Sequence, residues 1–409
     1  MNELLEWGHK AWLEIELGSP PWLQHTLIRA LYEARDLAQL LGRPYLKIYQ
    51  WQGQGQGGPL VVNYAGLGDA RPFLKSTLFT EEPVEKQVGR VPAWRIRELA
   101  NLPSGDMTIL EADRRLIRQL PDPCAFVLPV FVEMVVDVQG DWEDVKGRFR
   151  KSVRSEWRLQ QKYGYHYEVS NDDQDFEMFY RDMYLPTMEI RHGDRAVPMS
   201  HDEAYQYFRH GCLFWVIRDG WRVCGSVCHL ERDIVHFVLV GVFKGDQQLM
   251  KEGAVGALNY LRIQWANQNG YRAVDLGYCR PFMTTLFHYK RKWGTTVKAP
   301  SDLKRQFWIK LQRNTPAVYQ FMKENPCIVV HGRHQLYWLV MTEDPETARV
   351  EREMEWRKQL EAPGLQGLLI RSMADLVDKP TASVFDFDPA TSILFKIDAE
   401  AQRDRGRRE

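Results

Sequence analysis

Apolar residues recur along the chain at two different spacings, one typical of helices and the other typical of strands. The sequence therefore predicts a mixture of helices and strands. Residues 1–44 carry apolar side chains at helical spacing, and this pattern ends at Gly42-Arg43-Pro44. Runs rich in β-branched and aromatic residues then predict strands over Tyr45–Trp51, Leu60–Tyr64, Met107–Leu110 and Ala125–Val138. The glycine-rich stretch 51–58 predicts a flexible hairpin loop, because no helix follows it as a dinucleotide-binding fingerprint requires.

A long helix is predicted from Asp141 to Gly164. Its buried stripe is expected to consist of Phe149, Val153 and Trp157, which recur at every fourth position. Arg150, Arg154 and Arg158 form a second stripe at the same spacing. Residues 146–162 contain seven Lys or Arg and one acidic residue. This local excess fits either a phosphate-contacting surface or a solvated helix face.

The next region predicts a strand over Tyr165–Val169 and then a helix over Asp175–Leu185 that stops before Pro186. A polar, turn-rich loop follows, and its length is sufficient to line a site. After a short helix near Asp202–His210, three strands joined by short turns are predicted: Leu213–Arg218, Arg222–Leu230 and Ile234–Val242. An amphipathic helix over Glu252–Gln268 and a buried strand over Tyr271–Leu276 complete the pattern. An antiparallel meander therefore leads into a helix and one more strand.

Residues 301–409 predict further elements and a charged end. These are a helix over Gln306–Phe321, a hairpin over Ile328–Met341, a charged helix around 345–360 and a frayed tail.

Composition indicates a folded chain rather than a disordered one. The chain has 409 residues, 14 tryptophans and a formal net charge of zero, so two domains plus an extension are expected and any attraction to nucleic acid must be local. The start lacks a basic segment followed by an apolar core, and the most apolar run, Cys124–Val138, is too short to span a bilayer. A cytoplasmic protein without membrane insertion is expected.

The six cysteines include no CxxC pair. Cys224 and Cys228 lie in a predicted strand, where residues four apart are separated by about 13 Å, too far for a shared zinc ion. We expect reduced thiols with a structural role.

The segment from Gly270 to Gly294 is the most informative part of the chain. It runs from the buried strand through a Gly/Pro-marked loop to the sequence YKRKWG, and Asp275 lies near the end of the strand. With the preceding HFVLVGVFKG and the helix after it, this segment resembles the GNAT acyltransferase superfamily, and more narrowly its branch related to the Fem peptidoglycan transferases. The resemblance covers roughly residues 141–294.

The resemblance implies an α+β fold with a mixed sheet. Fem relatives pair two such domains, so we expect residues 1–140 to form a divergent GNAT-like half and 141–300 to form the acyltransferase domain. Residues 301–409 would then be a helical and hairpin extension.

The same resemblance implies a donor site between two diverging strands that end near Val240 and Asp275. The donor pyrophosphate would bind where the chain enters the helix over Glu252–Gln268, since a helix N-terminus favours anions. The residues expected to contact the donor are Val242, Lys244, Gly245, Lys251, Gly253 and Ala254. The sequence MKEGA departs from the usual acetyl-CoA loop, which leaves an aminoacyl-tRNA donor open.

Acyl transfer to an amine needs a proton acceptor and stabilisation of an oxyanion. Asp275 is expected to orient or deprotonate the amine, unless it caps the following loop. His192, in the loop IRHGDRA, is the second candidate base, with a surface histidine as the alternative. Arg191 would bind an acceptor carboxylate or pair with a local acid. Tyr278 and Lys290 are expected to line the acceptor side, although residues 290–292 fit a solvated patch equally well.

His229 and His236 flank a short turn, and we expect them to pack across a hairpin rather than bind a metal. No metal cofactor and no covalent intermediate are expected.

Three functions follow from these expectations. The first is an N-acyltransferase that moves an acyl group from acyl-CoA to an amine of a small molecule or sugar by direct attack. The second is a Fem-type transferase that takes its aminoacyl group from tRNA. The third is a degenerate binding module without catalysis. The sequence does not indicate the acceptor, the acyl group or the oligomeric state.

Overall fold

The computed structural model of the chain describes most residues from 45 to 372. The described ranges are 45–66, 70–102, 105–120, 125–193, 196–282, 284–300, 305–331, 335–372 and 393–396. The helices expected over residues 1–44 and the thiol of Cys124 lie outside these ranges.

The described strands alternate with helices along the chain. In chain order the strands are β1 (Tyr45–Gly55), β2 (Gly58–Gly66), β3 (Val84–Pro92), β4 (Met107–Asp113), β5 (Ala125–Pro129), β6 (Val132–Asp137), β7 (His166–Ser170), β8 (Gly211–Arg218), β9 (Trp221–Glu231), β10 (Ile234–Val242), β11 (Ala273–Cys279), β12 (Thr296–Lys298), β13 (Arg305–Leu311), β14 (Cys327–His331), β15 (Gln335–Thr342), β16 (Leu365–Ser372) and β17 (Ile393–Lys396).

The described α-helices are α1 (Arg71–Leu78), α2 (Arg114–Ile117), α3 (Trp142–Gly147), α4 (Val153–Lys162), α5 (Asp173–Phe179), α6 (Leu185–His192), α7 (His201–Arg209), α8 (Gln247–Lys251), α9 (Ala254–Gln268), α10 (Thr285–Arg291), α11 (Pro316–Glu324) and α12 (Pro345–Leu360).

The described residues divide into two compact units whose segments interleave along the chain. One unit contains residues 134–277 and 289–296, and the other contains 45–133, 278–288 and the residues from 297 onward. The sequence predicts three domains in succession along the chain, whereas each of these units combines segments from separate parts of the chain. The three-domain division stays a prediction.

The unit that contains residues 134–277 is built on an antiparallel meander. The seven-stranded sheet has the order β12-β6-β11-β10-β9-β8-β7, in which β7 to β10 pair antiparallel in succession and β10 pairs parallel with β11. One face of the meander is covered by an aromatic core that includes Phe176, Phe179, Met183 and Trp215. The expected meander, helix and strand are therefore all present, and the predicted α+β fold class is confirmed.

The other unit contains two sheets. A six-stranded sheet has the order β3-β1-β2-β4-β13-β5, with one parallel pair between β2 and β4, and a four-stranded sheet has the order β14-β15-β16-β17. The hairpin predicted around the glycine-rich stretch is present, but most of that stretch belongs to the strands and not to a loop. β1 continues as far as Gly55, and β2 begins at Gly58. Only a two-residue turn remains, where Gly57 has a φ of 90°.

Several predicted boundaries are wrong for local reasons. The helix expected over Gln306–Phe321 is the strand β13 followed by α11, because Phe307 and Ile309 pair between β4 and β5. The strand run 125–138 is two strands, β5 and β6. The helix expected to stop before Pro186 continues through a π-helical turn, Tyr180–Tyr184, into α6, where Pro186 occupies the first turn and needs no backbone donor.

The helix expected over residues 141–164 is also wrong as a single element. It breaks into α3 and α4, and Phe149 and Arg150 lie in the break. Val153 is buried as expected, but Trp157 is 46% exposed. The break rotates α4, which packs through Leu159 and Gln160 instead.

Gly241 in β10 is a point where the backbone of another segment lies very close to the meander. A Cβ atom at this position would lie 2.6 Å from both the carbonyl carbon of Met183 and the backbone nitrogen of Tyr184. Real side chains do not tolerate such contacts with backbone atoms, so only glycine fits here.

We expect Gly241→Ala to lower the free energy of unfolding by about 1–3 kcal/mol, since the added methyl group forces the π-helical turn away from β10. Chemical denaturation of the purified variant measures this. Gly147→Ala is the control, because its Cβ would meet nothing within 4 Å. Equal stabilities of the two variants would contradict the close packing.

Candidate active site

The strands β10 and β11 pair over only three positions. These pairs are Ile234 with Ala273, Val235 with Val274 and His236 with Asp275. Beyond the third pair, β10 continues to Val242 and β11 continues to Cys279 without further pairing between them. The two strands therefore part after His236 and Asp275, and their backbone groups beyond this point face a gap in the ladder. This is the diverging pair that the family resemblance implied.

A β-bulge in β10 lies just beyond the parting point. Phe237 pairs with Cys228 and Leu239 pairs with Val227, so Val238 has no partner residue in β9. A bulge leaves its extra residue outside the regular ladder and redirects neighbouring groups, which is why bulges are frequent beside active sites. Val238 is thus the bulged residue of β10 at the level where the gap begins.

Asp275 is the last residue of β11 that pairs with β10, and each of its two carboxylate oxygens has a hydrogen-bond partner. Its Oδ2 lies 3.0 Å from Nδ1 of His236, and its Oδ1 accepts a hydrogen bond from the backbone N–H of Gly277 at 2.8 Å. Gly277 has a φ of 78°, a conformation suited to glycine. Asp275 is thus engaged within β11, which continues to Cys279, and in an ion pair that the sequence did not indicate. Its expected alternative role as a cap of the following loop stays a prediction.

His236 lies between two carboxylates. Its Nε2 is 3.3 Å from Oε2 of Glu231, although it is not aligned to donate a hydrogen bond to it. Burial lowers the pKa of His236, but the hydrogen bond to Asp275 and the negative charges of Asp275 and Glu231 outweigh burial and raise this pKa to about 9. The side chain is therefore an imidazolium at neutral pH, and it can donate hydrogen bonds but cannot accept a proton.

His229 faces His236 across the hairpin, as predicted. The two residues are paired in the β9–β10 register, and their rings stack with centroids 5.7 Å apart. Burial and the neighbouring charge of His236 lower the pKa of His229 to about 4. Within the described ranges no group of three His, Cys, Asp or Glu side chains could hold a metal ion.

The predicted donor residues at the end of β10 are already engaged. The backbone N–H of Val242 donates to the Thr187 hydroxyl at 2.8 Å, and this hydroxyl lies 3.2 Å from the Val242 carbonyl oxygen. Thr187 belongs to α6 and is buried. The backbone N–H and carbonyl oxygen of Val242 are thus hydrogen-bonded with Thr187, although the sequence predicted that Val242 contacts the acyl donor.

The N-terminus of α9 is covered by α4. Gly253 caps α9 with a φ of 88°, and a Cβ atom there would lie 2.9 Å from Cδ1 of Leu159. Ala254 is fully buried and Gly245 is buried, whereas Lys244 and Lys251 are exposed. Of the predicted donor residues, these two lysines are the ones that reach solvent.

The predicted acceptor residues belong to different elements of the fold. Arg191 is exposed near the end of α6, and His192 is the last residue of that helix. The loop expected at these positions is therefore helical up to His192, and Asp194 and Arg195 lie outside the described residues. Lys290 comes close to the gap, since its Nζ lies 3.6 Å from the Cβ position of Gly277. Tyr278 belongs to the other compact unit, where its ring lies 5.8 Å from that of Phe131.

The sequence KRKWG has a packing role. Arg291 and Trp293 are buried, and Lys292 forms an ion pair with Glu156 of α4. The carbonyl oxygen of Lys292 also accepts a hydrogen bond from the backbone N–H of Arg150 at 2.8 Å. A solvated patch over residues 290–292 is thus wrong for Arg291 and Lys292, because this segment anchors the start of α4.

We expect His236→Gln to change how stability depends on pH. The folded-state pKa of about 9 lies above the ordinary value of 6.5, so the contribution of His236 is complete below pH 6.5 and is lost as pH rises through 9. The wild-type free energy of unfolding should fall by up to about 3 kcal/mol more than that of the variant over this range. Denaturation curves at several pH values measure the difference.

The exposed His166 provides the control as His166→Gln. Parallel pH curves for the wild type and His236→Gln would show that His236 is not charged through its carboxylate partners.

Comparison with known proteins gives structural neighbours but no sequence relatives. No protein-family model matches the sequence. No curated protein matches it either. No helix among the described residues is long and apolar enough to cross a membrane.

Three of the solved structures similar to this chain are FemX, L-PGS and a GCN5-related N-acetyltransferase. FemX is 12% identical over 77% of this chain and 97% of its own, with a TM-score of 0.37. L-PGS from Bacillus licheniformis is 11% identical over 66% of this chain and 87% of its own, with a TM-score of 0.32. A GCN5-related N-acetyltransferase from Kribbella flavida is 10% identical over 74% and 68%, with a TM-score of 0.25. At these values the likeness decides no reaction, and the GNAT-like fold rests on the meander and the diverging pair β10–β11.

Proposed function

We propose that this chain is an N-acyltransferase that moves an acyl group from acyl-CoA to an amine of a small molecule or sugar by direct attack. The observation that carries this proposal is the parting of β10 from β11 after His236 and Asp275, with the bulge at Val238 beside it. Such a gap offers backbone hydrogen-bond groups and a carboxylate at one point, which is what an acyl donor and an amine require.

The roles of the side chains follow from their charges. The carboxylate of Asp275 has lone pairs beyond those used by His236 and Gly277, so it can orient the attacking amine and accept its proton. His236 keeps that carboxylate in place and supplies a positive charge beside the oxyanion of the tetrahedral intermediate. The Val238 peptide would donate to the same oxyanion. His192 stays a second candidate for the base.

The donor and the acceptor would use the exposed cations around the gap. Lys244 and Lys251 would contact the pyrophosphate of acyl-CoA, whereas Val242, Gly245, Gly253 and Ala254 would shape the channel through their backbone. Arg191 would bind an acceptor carboxylate, and Lys290 would lie beside the amine near Gly277. No metal is needed for this chemistry.

Asp275→Asn should lower turnover roughly 100-fold or more while it changes donor binding little, because a positioned base contributes about that much to the rate. Turnover with a panel of acyl-CoAs and amines, together with calorimetric donor binding, separates the two effects. Asp219→Asn is the control, since Asp219 lies in the exposed β8–β9 turn at a φ of 50° that asparagine tolerates. Unchanged turnover in Asp275→Asn would remove Asp275 from the mechanism.

An aminoacyl-tRNA donor is the second candidate, and the surface of α4 favours it. Arg154 and Arg158 are exposed and form no ion pair with any residue that the structure describes, and Trp157 between them is 46% exposed. Free guanidinium groups contact phosphates, and an exposed indole stacks on bases. The next residue along, Leu159, covers the N-terminus of α9, so this surface adjoins the predicted donor site.

If tRNA is the donor, Arg154→Ala combined with Arg158→Ala should weaken tRNA binding and reduce the slope of log affinity against log salt by about 2, one for each lost phosphate contact. Fluorescence anisotropy with labelled tRNA at several salt concentrations measures this. The control removes two exposed lysines of β1 and β3 as Lys47→Ala with Lys86→Ala. Equal losses in both double variants would point to non-specific attraction.

The same preparations distinguish the two donors from the non-catalytic alternative. Thermal stabilisation by an acyl-CoA supports the first proposal, and stabilisation by an aminoacyl-tRNA supports the second. If neither raises the melting temperature, the chain is better described as a binding module.

A further inference from the structure

The guanidinium of Arg262 is buried without a carboxylate partner. Arg262 lies on α9 and is 1% exposed. It donates hydrogen bonds to the hydroxyl of Ser226 and to Oδ1 of Asn259, the latter at 2.5 Å, while its Nε has no hydrogen-bond partner. Its guanidinium carbon lies 3.5 Å from the ring centre of Phe237. Within the described part of the chain no carboxylate forms an ion pair with it. A buried charge in this state needs another source of negative charge.

Cys228 is in the right place to supply this negative charge. Alternate residues of a strand share a face, so Cys224 and Cys228 lie on the same side of β9 as Ser226, which contacts Arg262. Cys228 is also the cross-strand partner of Phe237, whose ring lies against the guanidinium. Burial raises the pKa of Cys228, but a hydrogen bond from the Cys212 thiol and the charge of Arg262 outweigh burial and lower it.

Cys212 is paired directly with Cys228 across β8 and β9. The register places the two residues opposite each other, and both are buried free thiols. Cross-strand neighbours have Cα atoms about 4.5–5.5 Å apart, which falls within the range of about 4.4–6.8 Å that a disulfide requires. Its hydrogen bond to Cys228 and burial raise the pKa of Cys212, which therefore keeps its proton. A thiol whose pKa is lowered and a thiol whose pKa is raised thus face each other beside a cation.

We propose that Cys212 and Cys228 form a site of reversible oxidation, at which a peroxide converts the two thiols into a disulfide across β8 and β9. The Cys228 thiolate attacks one oxygen of hydrogen peroxide, the O–O bond breaks, and a sulfenic acid and hydroxide form. The Cys212 sulfur then attacks the Cys228 sulfur and displaces the hydroxyl group, which leaves as water with the Cys212 proton. In sum, two thiols are oxidised, one peroxide is reduced, and two waters form.

Oxidation has a direct consequence for the fold. The disulfide removes the negative charge beside Arg262, whose guanidinium then remains buried among neutral groups. Since Arg262 joins α9 to β9 through Ser226, the contact between this helix and the meander weakens when the pair is oxidised. The acyl-transfer proposal plays no part in this chemistry, so either can fail without the other.

The test is mass spectrometry of the full chain after exposure to hydrogen peroxide and alkylation of the remaining thiols. We expect a disulfide-linked pair of peptides that contain Cys212 and Cys228, which shows a loss of two hydrogens and is restored by dithiothreitol. In Cys212→Ser the linkage should be absent, and Cys228 should carry added oxygen instead. In Arg262→Gln the linkage should form more slowly at pH 7, and Arg262→Lys, which keeps the charge, should restore the rate if the glutamine variant folds.

Cys224→Ser is the matched control. Cys224 is buried on the same face of the same strand, but it lies opposite Val216 and Val242 and has no cross-strand thiol. Burial raises its pKa to about 12. This variant should form the Cys212–Cys228 linkage at the wild-type rate. Full alkylation of both Cys212 and Cys228 after oxidation, or a linkage that involves Cys224 instead, would overturn the proposal.

Discussion

The ion pair between His236 and Asp275 is the interaction on which the rest of the site depends. It is formed at the last paired position of the parallel strands β10 and β11, so it fixes the point at which the two strands part. Asp275 ties β11 to β10 through His236 and accepts a hydrogen bond from Gly277, two residues farther along β11. The gap beyond it therefore has a fixed starting point and a carboxylate beside it, as the proposed acyl transfer requires.

Charges elsewhere in the same unit are mostly satisfied within the fold. Glu156 pairs with Lys292, Arg218 pairs with Glu252, and Arg222 pairs with Asp175. Against this background, two features stand out physically. Arg154 and Arg158 lie in solvent and form no ion pair with any described residue, and Arg262 lies in the core with cysteines as neighbours. An unsatisfied charge on the surface suggests a partner, and one in the core suggests that a neighbour has ionised.

Much of the fold was predictable because its signals are local. The meander from β8 to β10, its short turns and the helix α9 follow from period-two and helical patterns that no distant contact overrides. The segment RQFWIKL of β13 was misread as helix, because short apolar runs fit either period and its pairing with β4 and β5 is a long-range fact. Trp157 was misplaced because a break at residues 148–152, which no glycine or proline inside it marks, rotates the second part of the helix.

Of the candidate site, the sequence singles out Asp275 and the two diverging strands, and it does not reveal the contacts between them. His236 was noticed through its cross-strand partner His229, but its pairing with Asp275 depends on the parallel register of β10 and β11, which the sequence does not reveal. The Thr187 bonds to Val242 depend on the π-helical turn that carries α6 onto β10, again a tertiary effect.

Hydrogen–deuterium exchange of the chain with saturating acyl-CoA, and separately with aminoacyl-tRNA, tests the central claim most directly. The account predicts slower exchange of the amides at 237–241 and 276–279 with one of these donors. Unchanged exchange at both segments with each donor, alongside protection elsewhere, would contradict it.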